Sequence, residues 1–397
     1  MDKNKPKLCF VVRFLGQRSE VWLWRQIVGM TEFEPHVITW AYMNKTDYPL
    51  IGITVDQLPF EPAPENSTMV KRWLYRFRNL LSLNFYGTTG KEKAYIYQLL
   101  SDVKPQAILC HFGQTALRIL PIAKELGVPL VAHFHGMDIS SSLANKWYRW
   151  SLMCQVKQFA AIVVVGNHQK GWFLEHGIPE SRINVIPCGV PTDEYVCKKY
   201  ENETQKIRFM AVSRLVEKKG IEFTLKAFAI VKRENPEVTL DIFGDGPLEN
   251  KLKEQVNNME LADAVSFKGS VPSDYVRKEM ALYDIFVQHS IVTPAGDSEG
   301  SPVATAEAAA SGLPVISTIS PGMGEQVIDG KTGFLVEQKD FEMMAKAMSR
   351  LVKDKDLRES MGKAGREQMI KHFGTKQQIA KLEQVLLNCC RDYCTRE

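Results

Sequence analysis

The chain has 397 residues, more than one ordinary hydrophobic core supports, so two domains are expected. Its composition, 45% hydrophobic and 24% charged, is that of a globular protein and excludes a disordered or fibrous one. A formal net charge of +4 is too small to indicate a nucleic-acid surface by itself, and no apolar run reaches the roughly 18 residues of a membrane span.

The N-terminus, MDKNKPKLCFVVRFLG, is basic and then apolar, but Arg13 interrupts the apolar run and no small-residue cleavage site is present. We therefore interpret it as a first strand and not as a signal peptide. The eight cysteines are scattered along the chain, which favours reduced thiols and a cytoplasmic protein. Cys389, Cys390 and Cys394 lie close together but lack a second ligand pair at zinc spacing.

Short apolar runs alternate with longer helical patterns, which is typical of buried parallel strands. The predicted strands of the first half are LCFVVRF, PHVITW, AILCHF, PLVAHF, AAIVVVG and INVIP. Those of the second half are IRFMAVSRL, VTLDIFG, VSFKG, DIFVQHS, LPVIST and GFLV. Two such arrays predict an α/β protein with two Rossmann-like, doubly wound parallel sheets that face each other across a cleft.

A polar stretch, CKKYENETQK, separates the two arrays and is interpreted as a linker over residues 197–206. The predicted domains are therefore residues 1–196 and residues 207–374. The last helical pattern, residues 375–397, follows the complete second array and is a candidate for packing back on the first domain.

The stretch EGSPVATAEAAASG places Glu299 and Glu307 on either side of a predicted helix start. Ser301 suits the N-cap and Pro302 suits the first helical position. A helix N-terminus binds anions, and carboxylates accept hydrogen bonds from hydroxyls. An anion site between two hydroxyl acceptors fits a sugar joined through a diphosphate to a nucleoside, although a capped core helix with surface acids explains the stretch equally well when it is taken alone.

Two other loops of the second half also follow predicted strands. SRLVEKKG carries Arg214 and Lys219, which can neutralise a diphosphate, although exposed basic loops are common. GDGP, which begins at Gly244, is a tight turn. The sequence contains neither a GxGxxG dinucleotide fingerprint nor a P-loop, which argues against a dehydrogenase and a kinase.

Taken in this order, these motifs resemble the retaining glycosyltransferases of the GT-B fold, family four (glycosyltransferase group 1), over nearly the whole chain. The two acids separated by seven residues, with SRLVEKKG upstream and GFLV downstream, carry the resemblance. It implies transfer of a hexose from a nucleotide-diphosphate sugar to an acceptor hydroxyl with retention of configuration. A UDP-sugar is favoured, a GDP-sugar comes next, and neither a metal nor another cofactor is expected.

The resemblance also implies that residues 1–196 form the acceptor side and that residues 207–374 bind the nucleotide-sugar. It further implies a role for each residue in the matching motifs. Arg214 and Lys219 would hold the donor diphosphate, Glu307 would bind the ribose hydroxyls, and Glu299 would contact the donor sugar. The other donor-binding residues would be Gly244, Gly300, Ser301 and Val303.

In the first half, VAHFHGMD matches the family's strand that ends in His-Gly, with Asp138 two residues further on. His135 would face the donor sugar and the acceptor, and would complete the catalytic group with Glu299, Arg214 and Lys219. His133 and His135 could instead form a metal site, but no further ligand stands at matching spacing. We expect the side chain of His133 to point away from that of His135, as a core histidine.

The loop RFLGQRSE departs from the Gly-Gly pair that many family members carry. Its Ser19-Glu20 pair, like CHFGQTA further on, is similar to a subgroup that acts in bacterial exopolysaccharide assembly, of the colanic-acid type. This likeness implies a lipid-linked oligosaccharide acceptor. Gly16, Ser19, Glu20 and Asp138 are the residues assigned to the acceptor side.

The stretch Met69–Leu81, MVKRWLYRFRNLL, mixes four cations with aromatic and apolar residues. A basic amphipathic helix of this kind suits an anionic membrane surface, which would place a cytoplasmic protein at the inner face of the membrane. A solvated helix with its apolar face in the core explains the pattern equally well. The rival functions are a sugar-nucleotide epimerase or hydrolase on the same fold, and a non-catalytic nucleotide-sugar-binding protein.

Overall fold

The computed structural model describes residues 5–60, 83–200 and 206–394. The predicted basic helix over Met69–Leu81 lies outside these ranges, as do residues 201–205 of the predicted linker. The chain divides into two compact units. Unit 1 combines Met1–Pro187 with Gln378–Glu397, and unit 2 is Cys188–Gln377.

Unit 1 is built on a parallel sheet with the strand order β3-β2-β1-β4-β5-β6-β7. In chain order its described elements are β1 (Lys7–Leu15), α1 (Val21–Val28), β2 (Glu34–Tyr42), β3 (Thr54–Gln57), α2 (Gly90–Val103), β4 (Ala107–His111), α3 (Gly113–Glu125), β5 (Leu130–Phe134), α4 (Lys146–Gln155), β6 (Ala161–Val164), α5 (Asn167–Glu175) and β7 (Ile183–Val185). Strands β4, β5 and β6 are buried at every residue, as expected for a parallel sheet with both faces covered.

Unit 2 repeats the architecture with the strand order β10-β9-β8-β11-β12-β13, again all parallel. Its elements are β8 (Arg208–Val212), α6 (Ile221–Glu234), β9 (Thr239–Phe243), α7 (Glu249–Asn258), β10 (Val265–Gly269), α8 (Ser273–Met280), β11 (Ile285–Gln288), α9 (Val303–Ala310), β12 (Val315–Thr318), β13 (Gly333–Val336), α10 (Phe341–Lys353) and α11 (Lys355–His372). The last described helix, α12 (Thr375–Cys394), begins in unit 2 and continues into unit 1.

The two predicted doubly wound sheets are therefore confirmed, and all twelve predicted strands are present. The sequence analysis missed β3, whose residues TVDQ offer a single apolar side chain at the edge of the sheet. A hydrophobic pattern cannot reveal a strand that takes so small a part in the core. Helix α3 ends at Glu125, and Gly127 follows it with a left-handed φ of 64°, as is common just beyond a helix C-terminus.

Unit 2 begins at Cys188, earlier than the sequence boundary at residue 196, because the intervening segment packs on unit 2. The Val190 N–H donates to the Phe373 carbonyl at 2.9 Å. A buried ion pair of 2.7 Å joins Lys198 to Asp284, so the polar residues that suggested a linker are partly structural.

Within unit 1, Glu383 of α12 anchors the segment that precedes β2. Its carboxylate is buried, at 2% exposure. It accepts hydrogen bonds from the Thr31 N–H at 2.5 Å, the Glu32 N–H at 2.7 Å and the Thr31 hydroxyl at 3.0 Å. Three donors compensate the loss of hydration of one carboxylate, which makes this contact the main polar attachment of α12 to unit 1.

Replacing Glu383 with alanine should destabilise unit 1 by about 2–3 kcal/mol, because two buried N–H groups lose their charged acceptor. Hydrogen-exchange mass spectrometry should show faster exchange at Thr31 and Glu32, and the urea midpoint should fall. Gln384→Ala is the matched control, since Gln384 is exposed on the same helix. Equal stability of the two variants would contradict this role for Glu383.

Candidate active site

The loops after β8 and β11 define the candidate site of unit 2. These two strands are neighbours in the sheet, but their chain connections run to opposite sides of it. Ligands of doubly wound sheets bind at such a switch point, beyond the carboxyl ends of the strands. The β8 loop carries Arg214 and Lys219, and the β11 loop leads through Glu299 to α9.

Backbone hydrogen bonds hold the β8 loop in place. The Leu215 N–H donates to the Asp245 carbonyl at 2.7 Å, which ties this loop to the turn after β9. The Ile291 N–H donates to the Lys218 carbonyl at 2.9 Å, which ties it to the β11 loop. The cations of the β8 loop therefore project from a fixed backbone, and little order would have to be created when a ligand binds.

Gly244, which the sequence analysis assigned to donor binding, has a packing role at this edge of the sheet. Its φ is 125°, and a Cβ there would stand 1.9 Å from the Ser213 carbonyl oxygen. Only glycine permits this approach of the β9 turn to the end of β8.

Glu299 is the charged centre of the site. It is only 8% exposed, and its Oε1 lies 3.2 Å from Lys219 Nζ and 3.9 Å from Lys218 Nζ. Burial raises the pKa of Glu299, but the charges of the two lysines, a hydrogen bond from Lys219 and the charge of Arg214 outweigh that effect. The pKa consequently lies below its usual value, and Glu299 is ionised at neutral pH.

Lys218 belongs to this group, although the sequence analysis did not select it. Its Nζ lies 3.1 Å from Asp297 Oδ1 and bridges that side chain to Glu299. The sequence EKKG offers two adjacent lysines, and either of them could face the carboxyl ends of the strands. Arg214, by contrast, is exposed and forms no ion pair with the residues that the structure describes.

Helix α9 begins at Val303, one residue later than the sequence predicted. Pro302 is extended, and no side chain caps the helix. The Ser301 hydroxyl was expected to cap, but it accepts a hydrogen bond from Gln326 Nε2 at 2.9 Å. The first N–H groups of α9 still lack helical carbonyl partners, as at any helix start.

The two predicted hydroxyl acceptors are both buried. Glu307 lies on α9 and, like Glu299, is 8% exposed. The structure thus gathers Arg214, Lys219 and Glu299 into one electrostatic group. Glu307 follows on the helix that starts beside this group, with Gly300, Ser301 and Val303 between the two acids.

In unit 1, Asp138 fastens the ends of β4 and β5 together. Its carboxylate accepts hydrogen bonds from the Gly113 N–H at 3.0 Å and the His135 N–H at 2.8 Å. Burial raises the pKa of Asp138 to about 7; the two N–H groups reduce this effect, and the charge of Glu20 adds to it. Asp138 thereby fixes the backbone that carries His135.

His133 and His135 lie on the same side of the sheet, so the expectation that they point in opposite directions was wrong. Side chains alternate along a strand, and residues two apart therefore share a face. Their rings stack at 4.6 Å between centroids, and His111 from β4 joins them. Burial lowers the pKa of His133 to about 3, and burial and the neighbouring rings lower the pKa of the other two well below its usual value.

Three of the residues assigned to the acceptor side, Gly16, Ser19 and Glu20, lie after β1, whereas Asp138 follows β5. The Gly16 carbonyl accepts a hydrogen bond from Asn44 Nδ2 at 2.9 Å, which fixes the start of this loop. Ser19 and Glu20 form a single helical turn with Arg18, and Ser19 is exposed. The charge of Glu20 contributes to the raised pKa of Asp138, so these two predicted residues lie within electrostatic range of each other. No described helix is both long enough and apolar enough to cross a membrane.

Comparisons with known proteins agree with the predicted family and fold. The family model described as Glycosyltransferase Family 4 matches residues 33–194, and the one described as Glycosyl transferases group 1 matches residues 194–368. A solved structure of Anabaena HepE, in complex with UDP, covers 96% of this chain and is itself covered completely, with a TM-score of 0.76 and 17% identity. This likeness concerns the GT-B fold alone.

Two relatives are similar in sequence. WcaL of Salmonella typhimurium, named as a colanic acid biosynthesis glycosyltransferase, is 28% identical over 79% of this chain and 80% of its own length. AmsK of Erwinia amylovora, named as an amylovoran biosynthesis glycosyltransferase, is 30% identical over 67% of each chain. From this similarity and the two adjoining family matches, the chain belongs to the group 1 glycosyltransferases, family 4.

Proposed function

We propose that this protein moves a hexose from a nucleotide-diphosphate sugar to an acceptor hydroxyl, with retention of the anomeric configuration and without a metal at the diphosphate. A UDP-sugar is the favoured donor and a GDP-sugar the second choice. The UDP complex of HepE, a protein of the same fold, supports this order. The observation that carries the proposal is the buried carboxylate of Glu299 beside Lys219, at the start of a helix that bears a second buried acid.

The charges around Glu299 suit a diphosphate. Lys219 and Lys218 are partly buried and are oriented by carboxylates, so their rotamers are restricted before the donor binds. Arg214 is exposed and has no carboxylate partner among the described residues, so it can bind phosphate oxygens in a bidentate manner. The N–H groups at the start of α9 add further donors.

The same groups would promote departure of the nucleoside diphosphate. The bond between the anomeric carbon and the β-phosphate oxygen breaks, and negative charge grows on that oxygen. Arg214, Lys219 and the α9 N-terminus would stabilise this charge by preorganised electrostatics. The acceptor oxygen bonds to the anomeric carbon on the face that the phosphate leaves, and a phosphate oxygen takes the acceptor proton. Glu299 and His135 would orient the sugar and the acceptor.

The acceptor we propose is a lipid-linked oligosaccharide in the assembly of a bacterial exopolysaccharide or cell-surface polysaccharide. The names of WcaL and AmsK, which refer to colanic acid and amylovoran biosynthesis, support this choice. Such an acceptor would place the protein at the inner face of the membrane as a cytoplasmic, peripheral protein. Gly16, Ser19, Glu20 and Asp138 are the proposed acceptor-side residues.

Calorimetric titration with UDP, GDP and ADP in EDTA should give tight binding of one nucleotide, with UDP expected. Arg214→Ala should weaken it roughly 10- to 100-fold, the effect of losing a charge-assisted hydrogen bond. Glu307→Ala should weaken it too, if the ribose hydroxyls bind there. Arg233→Ala and Glu254→Ala are matched controls, because both side chains are exposed on unit 2 helices. Binding that needs a divalent metal, or that survives both site variants, would contradict the donor site.

Lys219→Met should lower kcat roughly 10²- to 10³-fold, the usual cost of removing one transition-state donor. Lys251→Met, on an exposed position of α7, should leave turnover unchanged. Turnover is measured as sugar transferred to a lipid-linked acceptor, and NMR of the product gives the anomeric configuration.

Product analysis also separates the rival functions. Free sugar would indicate a hydrolase, an isomerised nucleotide-sugar would indicate an epimerase, and nucleotide binding without any turnover would indicate a binding protein. Full activity of the Lys219→Met variant would exclude the proposed stabilisation of the leaving group.

A further inference from the structure

Three histidines meet in unit 1 where strands β4 and β5 end. His111 is the last residue of β4 and pairs in register with His133 on β5, and His135 follows β5 directly. The nitrogen atoms that the three rings offer lie within 4.8 Å of one another. Adjacent parallel strands thus bring three imidazoles to one point, although two of them are more than twenty residues from the third in the sequence.

The nitrogens of this group are poorly satisfied by the protein. His111 Nδ1 and His135 Nε2 are 3.1 Å apart and share one hydrogen bond. Three ring nitrogens, His111 Nε2 and both of His133, are buried and lack a partner of hydrogen-bonding geometry among the described residues. The nearby backbone of Ile186 raises the pKa of His133, against the larger lowering effect of burial. Buried polar atoms without partners are costly, so three in one cluster call for an explanation.

Aromatic rings pack against the cluster among the described residues. Trp22 lies 4.3 Å from His135 and Phe112 lies 4.8 Å from it, measured between ring centroids. Phe10 stacks on His111 at 6.1 Å between ring centroids. The carboxylate of Asp138, which bonds to the His135 N–H, already accepts two backbone N–H groups.

We propose that His111, His133 and His135 bind a divalent transition-metal ion, with Zn²⁺ as the best match. Three imidazoles and one open position form a well-known zinc coordination set, and imidazole also suits Co²⁺, Ni²⁺ and Cu²⁺. Zn–N bonds of about 2.0–2.1 Å place tetrahedral ligands about 3.4 Å apart. One nitrogen pair is already at 3.1 Å, and the most distant pair must close by at most about 1.4 Å.

The proposed metal ligands all belong to unit 1, whereas the charged residues proposed to bind the donor diphosphate all belong to unit 2. One metal ligand, His135, is also the residue proposed to orient the sugar and the acceptor. The His135 nitrogen that coordinates Zn²⁺ can no longer accept a hydrogen bond from the sugar or the acceptor, so Zn²⁺ should inhibit transfer and EDTA should restore it. That second expectation rests on the proposed function, whereas metal binding itself does not.

The test is a titration of the chelator-treated, full-length protein with Co²⁺. We expect a saturable visible d–d absorption at one equivalent, which Zn²⁺ displaces. His133→Phe keeps a ring in the strand but removes a ligand, and should weaken Co²⁺ binding more than about 100-fold, beyond the usual effect of an outer-shell change. His176→Phe is the matched control, because His176 lies outside the cluster and bonds to the Trp172 carbonyl.

His111→Gln is a second variant in case His133→Phe does not fold, and circular dichroism checks both. Zn²⁺ should raise the Tm of the wild-type protein and of the control variant only. The absence of a saturable cobalt spectrum, an unchanged spectrum in the folded variants, or a thiolate charge-transfer band would each overturn the proposal. A failure of nucleotide binding would leave the cobalt result unaffected, so the two proposals fail separately.

Discussion

A buried carboxylate needs positive charge beside it, and unit 2 is arranged around this requirement. Glu299 is nearly inaccessible to water and remains ionised because Lys219 and Lys218 stand next to it. An uncompensated charge there would be strongly destabilising, so the β8 loop must hold the lysines beside the carboxylate. The hydrogen bond from the Ile291 N–H to the Lys218 carbonyl fixes this position, because it joins the two loops that carry the opposite charges.

Helix α9 carries small side chains because a neighbouring helix packs closely against it. Gly362 of α11 approaches so closely that a Cβ there would stand 2.0 Å from the Gly312 carbonyl oxygen. Gly365 packs beside Ala309 in the same contact. Alanines on α9 and glycines on α11 therefore let two helices pack at short range, which fixes the direction of α9. Because Glu307 sits on that helix, the position of its carboxylate depends on this packing.

Most of the fold was predictable because the central strands of both sheets are buried, and burial on both faces leaves continuous apolar runs in the sequence. The exception, β3, is short and polar at a sheet edge, where no such run is required. The charged residues of unit 2 could be selected because each follows a recognisable strand. Lys218 was missed because the sequence alone does not show that both adjacent lysines point toward the carboxylates of the β11 loop. The histidine cluster was missed for a different reason: His111 reaches it through strand pairing, and pairing is decided by the order of strands in the sheet.

The two units handle polar groups at their strand ends in opposite ways. Unit 2 keeps its groups charged and balances lysines against carboxylates, an arrangement that favours an anionic ligand with several oxygens. Unit 1 keeps three imidazoles neutral beside aromatic rings and ties the buried Asp138 to backbone N–H groups. Neutral imidazole nitrogens attract a metal ion or a hydroxyl proton but give a phosphate no charge to bind. The same doubly wound sheet therefore presents two different chemistries, and the side chains that follow β4, β5, β8 and β11 decide which one each unit offers.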